Sequence, residues 1–299
     1  MNFKQFIVFL HYITQRDYRF FQPLFKYYAN VEEEIKTVEE WLDIPIVMKE
    51  KEEWIERAQQ FSIEAYERQL EEAHIQVIAY THPLYPPFLR HTFDPPALLY
   101  AQGDVSLLTS AMIGIIGSRK ATSYSAEGIR TLMPILADER YTVVSGMAQG
   151  ADAMAHEEAI RQKVRTIAVL GHGMYNTYPK HHRALQRHLQ SHELIISEYP
   201  PSMQPRRWMF PKRNRIIAGM SESIIVTEAK IKSGTMSTVD YALSHGRTIF
   251  AYPGPFTNPL HEGPNALIEQ GAIPVISPTQ FQEMLRKERE INRGIYNNG

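Results

Sequence analysis

From residue 111 onward the chain alternates short apolar, β-rich runs with amphipathic stretches: MIGIIG, YTVVSG, RTIAVLG, ELIISE, SIIVTEA and RTIFAYPG. Runs this short and apolar suit strands buried on both faces. Between the first two lies TSYSAEGIRTLMPILADE, where Ala126, Ile129, Leu132, Met133 and Leu136 share one helical face. Strands alternating with helices predict a parallel, doubly wound α/β sheet with helices on both faces.

The rest of the chain reads differently. Residues 1–75 carry helical spacing, with Phe6, Phe9, Leu10 and Ile13 on one face, and few glycines. Residues 76–110 contain THPLYPPFLR and FDPPALLYAQGD, whose prolines predict an irregular connection into the sheet. The expected organisation is a helical domain over 1–75, that connection, a sheet domain over 111–287 and a tail over 288–299. A chain of 299 residues has room for one large and one smaller domain.

A hydrophobic fraction of 43% with 22% charged residues excludes a disordered acidic or basic tail protein. No stretch approaches the roughly 20 apolar residues that span a bilayer. The start, MNFKQFIVFLHYITQRDYRF, lacks a small-residue cleavage site and reads as a buried helix rather than a secretion signal. Cysteine is absent, which removes disulfides and thiolate metal sites. These features together predict a cytoplasmic protein without a membrane partner.

Net charge is -1, but the charges are unevenly placed. Glutamates gather over residues 31–73, whereas Arg119, Lys120, Lys180, Arg183, Arg187, Arg206, Arg207, Lys212, Arg213 and Arg215 lie later. Screening over about 8–10 Å lets such a neighbourhood bind phosphate on a neutral protein. Doubly wound sheets bind ligands beyond the carboxyl ends of their strands. Here those ends read Gly117-Ser118-Arg119, Ser145-Gly146, Gly171-His172-Gly173, Ser197-Glu198, Glu228-Ala229 and Pro253-Gly254. One rim is therefore rich in backbone amides, hydroxyls and cations, which predicts anion binding.

Each motif has a plainer reading beside the functional one. In IGIIGSRKATSYS a strand stops at Gly117 and a helix follows, so Ser118, Arg119 and helix-start amides can meet a phosphate. The plainer reading is a strand-to-helix turn with an exposed arginine. No GxGxxG is present, which disfavours a nicotinamide cofactor. Asp152 in VVSGMAQGADAMAH reads as a helix cap more readily than as a ligand group. Tyr178-Pro179-Lys180 mixes ring and cation, which suits single strands. His188 and His192 stand four apart, yet Leu189 occupies the place where a zinc protease needs glutamate, so they read as a solvated face. In RRWMFPKRNRIIAGMS, Arg213 reads as a phosphate contact at a Pro-led helix start. Arg215 is left open between phosphate and an acidic partner such as Glu228. Ser233, Gly234 and Thr235 supply another anion-suited turn, or merely a cap.

Taken in order, these stretches resemble the DNA-processing protein A family, also called Smf. The Gly-Ser-Arg turn, Ser-Gly-x-Ala-x-Gly-x-Asp, Gly-x-Gly with Tyr-Pro, Ser-Glu-Tyr-Pro, Glu-Ala with Ser-Gly, and Asn-x-Leu-Ile-x-x-Gly-Ala all occur between Gly117 and Ala272. The string from Phe210 to Gly219, FPKRNRIIAG, is the most specific. The resemblance implies an extended Rossmann-like domain behind a small helical, SAM-like one. It implies a homodimer that binds single-stranded DNA, protects it during natural transformation and loads the RecA recombinase, with no cofactor, metal or catalytic activity. Carried over by motif, the DNA site comprises Gly117, Ser118, Arg119, Lys180, Arg213 and Asn214. Dimer or recombinase contacts fall on Leu267, Ile268, Glu269 and Ile273. Relatives usually have glycine at Ser125, isoleucine at Ala151, aspartate at Tyr175 and asparagine at His182. Many carry a C-terminal winged-helix domain, for which the residues after about 285 are too few.

Two other classes compete: a nucleotide hydrolase on a related Rossmann-like domain, and a module that senses a nucleotide without turnover. Such hydrolases carry Pro-Gly-Gly-x-Gly-Thr and a nearby catalytic glutamate. Here the matching region reads Lys232-Ser233-Gly234-Thr235-Met236-Ser237-Thr238.

Overall fold

The structure is a computed structural model that describes residues 3–16, 19–22, 25, 54 and 56–296. Its centre is a nine-stranded sheet in the order β1-β2-β6-β5-β4-β3-β7-β8-β9. The strands are β1 (Ile75–Ala79), β2 (Leu98–Gly103), β3 (Met112–Ile116), β4 (Thr142–Ser145), β5 (Thr166–Leu170), β6 (Leu194–Ser197), β7 (Ser223–Val226), β8 (Thr248–Ala251) and β9 (Ile273–Pro274). From β6 across to β9 every pairing is parallel. Pairing of β1 with β2, and of β2 with β6, is antiparallel. The Rossmann-like α/β expectation therefore holds.

Alternation along β3 explains the layering. Ile113 and Ile115 join Ile129, Leu132, Met133 and Leu136 of α4 (Ser123–Asp138) and Phe281 and Leu285 of α10 (Pro278–Tyr296) in one apolar layer. Met112 and Ile116 point the other way, into a layer with Ile216 and Ile217 of α7 (Met209–Met220) and Val239 and Ala242 of α8 (Gly234–Ser244). The remaining described helices are α1 (Phe3–Thr14), α2 (Ile63–Glu72), α3 (Pro87–Arg90), α5 (Ala151–Arg161), α6 (Arg183–His192) and α9 (Glu262–Glu269). None of the described helices is long and apolar enough to cross a membrane.

The segments differ from the sequence reading at residues 76–110 and at 288. Residues 76–110 are not merely a connection: β2 and nearly all of β1 lie in them and extend the sheet. Prolines there fall in the turns between strands, where no ladder hydrogen bond is lost. The tail boundary at 288 falls inside α10, whose Leu285 and Phe281 anchor it to the sheet. At the other end, Phe6, Ile7, Val8, Phe9 and Leu10 of α1 are all buried. A helix apolar on so many sides needs cover all round, and α1 joins a cluster that includes Ile75, Val77, Leu98 and Tyr100 of the sheet. The SAM-like expectation for 1–75 rests largely on 17–18, 23–24, 26–53 and 55, which lie outside the described residues.

Two of the buried histidines, on α5 and α1, are held far below the ordinary imidazole pKa. His156 on α5 is fully buried with Nδ1 at 2.7 Å from Thr166 Oγ1, and burial pushes its pKa down to about 3. His11 is pushed down to about 4, again chiefly by burial. Both are neutral in the fold yet charge near pH 6.5 when unfolded. Their stabilising contribution is therefore complete above about pH 6.5 and declines as pH falls toward 3, by about 1.4 kcal/mol per unit for each ring. Denaturant melts between about pH 7.5 and 5 should show this slope, and His156→Gln should make it shallower. An unchanged slope would mean that His156 titrates alike in both states.

Candidate nucleic-acid interface

The parallel strands β3 to β8 all end on one rim, and the chain turns to opposite sides after β3 and β7. The sequence places glycines where helices and loops crowd this rim. Gly150 holds φ at +80°, and a Cβ there would lie 2.3 Å from Ser118 O. Gly146 follows β4 so closely that a Cβ would meet three guanidinium atoms of Arg213 at 2.4–2.5 Å.

Between these turns lies a cleft of about 50 Å³, lined by Arg119, Gln149, His172, Tyr178, Phe210 and Arg213 with the backbone of Gly146 and Gly171. A water needs roughly 10–15 Å³ of such space, so the cleft admits a few waters or one phosphate-sized group. Arg213 is 4% exposed. Its Nη1 donates to Gly146 O at 2.7 Å and to Val169 O, and its Nε to Asn214 Oδ1 at 3.2 Å. Among the described residues its Nη2 makes no hydrogen bond.

Charge in the cleft is unbalanced. Burial holds the Arg213 pKa below its ordinary value; nearby Asp152 opposes that shift and Arg119 adds to it. Two cations whose fields disfavour each other face one cleft, where negative charge would relieve their repulsion. Asp152 is buried too, and desolvation raises its pKa while Arg213 works against the rise. It does not cap α5, as the sequence suggested. Gly150 takes the cap position, and Asp152 folds back to accept from the Gly146 and Ala148 amides at 3.1 and 3.3 Å. It clamps the loop against which Arg213 rests.

The two arginines of α7 part company. Arg215 pairs with Glu198, and with Asp94 at 3.2 Å, deep inside the protein. Glu228, the acid suggested from sequence, is not its partner. Standing two residues apart, they lie on different sides of α7, which begins at Met209 and so places Arg213 in its second turn rather than at its start.

Of the other expected site residues, several stand near the cleft without lining it. Ser118 donates its amide to Glu228 O at 2.6 Å, and its hydroxyl accepts from the Lys120 amide at 3.0 Å. That amide is committed within the protein, whereas the hydroxyl, the group expected in the cradle, keeps its own O–H to donate. Gly117 supplies its carbonyl to Thr235 Oγ1 at 2.9 Å. Asn214 reaches away, donating to Ser237 Oγ at 2.9 Å and Gly234 O at 3.3 Å. It thereby ties α7 to the Ser233-Gly234 turn, where Gly234 has open space around its Cα. Lys180 is exposed and opens a short 3-10 turn directly after Pro179, which does line the cleft and follows a cis peptide bond.

Sequence reasoning left Gln149 and Phe210 out of the site, and named His172 only as part of a strand end and Tyr178 only as a ring beside Lys180. Their strand-end positions after β4 and β5, and the start of α7, were the available signal. Tyr178 and Phe210 form a tilted ring pair 5.0 Å apart beside the two arginines. On the opposite flank, Leu267 is a core residue at 4% exposure and offers no surface to a partner, whereas Ile268 and Ile273 are half-buried and Glu269 exposed. Leu267 packs in the apolar layer that holds Ile249 and Ala251 of β8. His188 and His192 stack at 4.6 Å, and among the described residues no three His, Asp or Glu side chains gather as metal ligands.

Known proteins share this fold. The profile of the family described as DNA recombination-mediator protein A matches residues 76–286. DNA processing protein DprA of Bacillus subtilis (strain 168) is 40% identical over 212 residues, 71% of each chain. The X-ray structure of DNA processing protein A from Streptococcus pneumoniae superposes with a TM-score of 0.82 at 32% identity, over 93% of this chain and 97% of that one. A structure of the Helicobacter pylori protein, described for its single-stranded DNA binding mode, gives a TM-score of 0.64 at 30% identity over 72% of this chain and 96% of that one. A profile that begins in β1 and ends within α10 takes in all nine strands and the cleft at their ends, and the chain belongs to the DNA recombination-mediator protein A family.

Proposed function

We propose that the protein binds single-stranded DNA through the strand-end cleft, with Arg119 and Arg213 on one phosphate and Lys180 on a neighbouring one. The observation that carries this reading is the shared cleft of Arg119 and Arg213, with Nη2 of Arg213 unengaged among the described residues. Tyr178, 42% exposed and paired with Phe210, offers a ring on which a base can stack beside the phosphate. A cleft of about 50 Å³ takes a phosphate, and a strand running along the rim can seat one there. Binding without catalysis fits the 232–238 segment, which lacks paired glycines and an acid. Self-association or recombinase contact is assigned to the β9 edge, where Ile268, Glu269 and Ile273 remain partly open.

Salt dependence tests the phosphate contacts. Each neutralised phosphate on a single strand contributes about 0.7 to the slope of log affinity against log salt. Titrations of oligothymidylate should show Arg119→Ala flattening that slope by about 0.7, whereas an unaltered slope removes Arg119 from the contacts.

A further inference from the structure

Outside the cleft, a polar cluster in the core surrounds Glu228, which is 0% exposed just after β7. Its Oε2 accepts from the Thr122 amide at 2.6 Å and from Ser125 Oγ at 2.7 Å, while Oε1 accepts from Thr122 Oγ1 at 2.8 Å. Its backbone carbonyl takes the Ser118 amide at 2.6 Å. A single residue thus holds both ends of the turn that carries Arg119, at Ser118 and at Thr122. The other side of Glu228 faces α9: His261 Nε2 lies 3.9 Å from Oε1, and Ala229 exchanges backbone hydrogen bonds with Leu260 and Gly263.

A buried carboxylate with three donors converging on it is costly to keep unless its partners are held in place. Arg119 is exposed and makes no ion pair or hydrogen bond among the described residues, so only its backbone aims it. We infer that Glu228 is a positioning residue for DNA binding: its carboxylate and carbonyl together fix the 118–122 turn so that Arg119 faces the cleft. Ser125 belongs to the device, since its hydroxyl also reaches Thr227 Oγ1 at 3.0 Å and closes the ring of hydrogen bonds. The sequence pattern alone treats Ser125 as a stray replacement of glycine, whereas the fold gives it a task.

This inference rests on the proposed DNA site, and a double-mutant cycle separates the two. Oligothymidylate affinity and its salt slope are measured for the full chain, Glu228→Gln, Arg119→Ala and the double variant. Glu228→Gln keeps the shape but swaps an acceptor for a donor, and should weaken binding about five- to tenfold with the slope flattened toward that of Arg119→Ala. In the double variant the loss should match Arg119→Ala alone within about twofold, because a mis-aimed arginine has nothing left to lose. A merely stabilising role would lower the melting temperature and leave the slope alone. Losses that multiply would overturn the positioning role while leaving the site intact; an Arg119→Ala variant that binds like the parent would overturn the site itself. Should Glu228→Gln fail to fold, Thr122→Val removes one donor to the same carboxylate and should give about a two- to threefold loss, again absent when Arg119 is already alanine.

Discussion

Gly146→Ala is expected to weaken oligonucleotide binding by about ten- to a hundredfold while leaving the net charge unchanged. The added Cβ would stand 2.4–2.5 Å from Nη2, Cζ and Nη1 of Arg213. Backbone at the end of β4 is held in the sheet and by Asp152, so the guanidinium is the part that yields. In yielding it leaves the Gly146 and Val169 carbonyls and withdraws from the cleft. The loss equals about one charge-assisted contact of 1.5–3 kcal/mol. Fluorescence anisotropy with a labelled oligothymidylate reads the effect, and circular dichroism establishes that the variant is folded. Parental affinity in a folded variant would show that Arg213 does not touch the strand.

Two positions along the same helix, Arg215→Ala should do the reverse. Arg215 is 4% exposed and Glu198 6%, with Asp94 as a second acid on the guanidinium. Removing the cation leaves a carboxylate buried without its partner, a change worth about 3–5 kcal/mol of stability. At about 2–4 °C per kcal/mol for a domain of this size, the melting temperature should fall by roughly 10 °C. Below that temperature the folded fraction should bind DNA within about twofold of the parent. Adding Glu198→Leu to Arg215→Met should restore much of the stability, since an apolar pair of similar volume avoids the desolvation cost. A melting temperature within about 2 °C of the parent for Arg215→Ala would refute the buried-pair account.

The contrast between these arginines shows what a linear pattern conveys. Helical spacing along α4 and the short apolar runs were legible because burial imposes them directly: Ile129, Leu132, Met133 and Leu136 all face the sheet as expected. The rim was legible because parallel strands deliver their ends to one edge. Which cation on that rim is free was not legible, because it depends on acids distant in sequence. Asp94 and Glu198 reach Arg215 only once α7 has crossed the sheet, and Asp152 turns back on its own loop. The β1–β2 hairpin escaped detection for a related reason. Its strands are short, and the prolines between them mark the turns without disclosing the antiparallel pairing that extends the sheet.

A crystal structure of the protein with a short oligothymidylate addresses the cleft most directly. A phosphate should lie within hydrogen-bonding distance of both Arg213 Nη2 and the Arg119 guanidinium, with a base against Tyr178. A strand that tracks another face of the sheet, leaving both guanidinium groups without phosphate, would contradict the account.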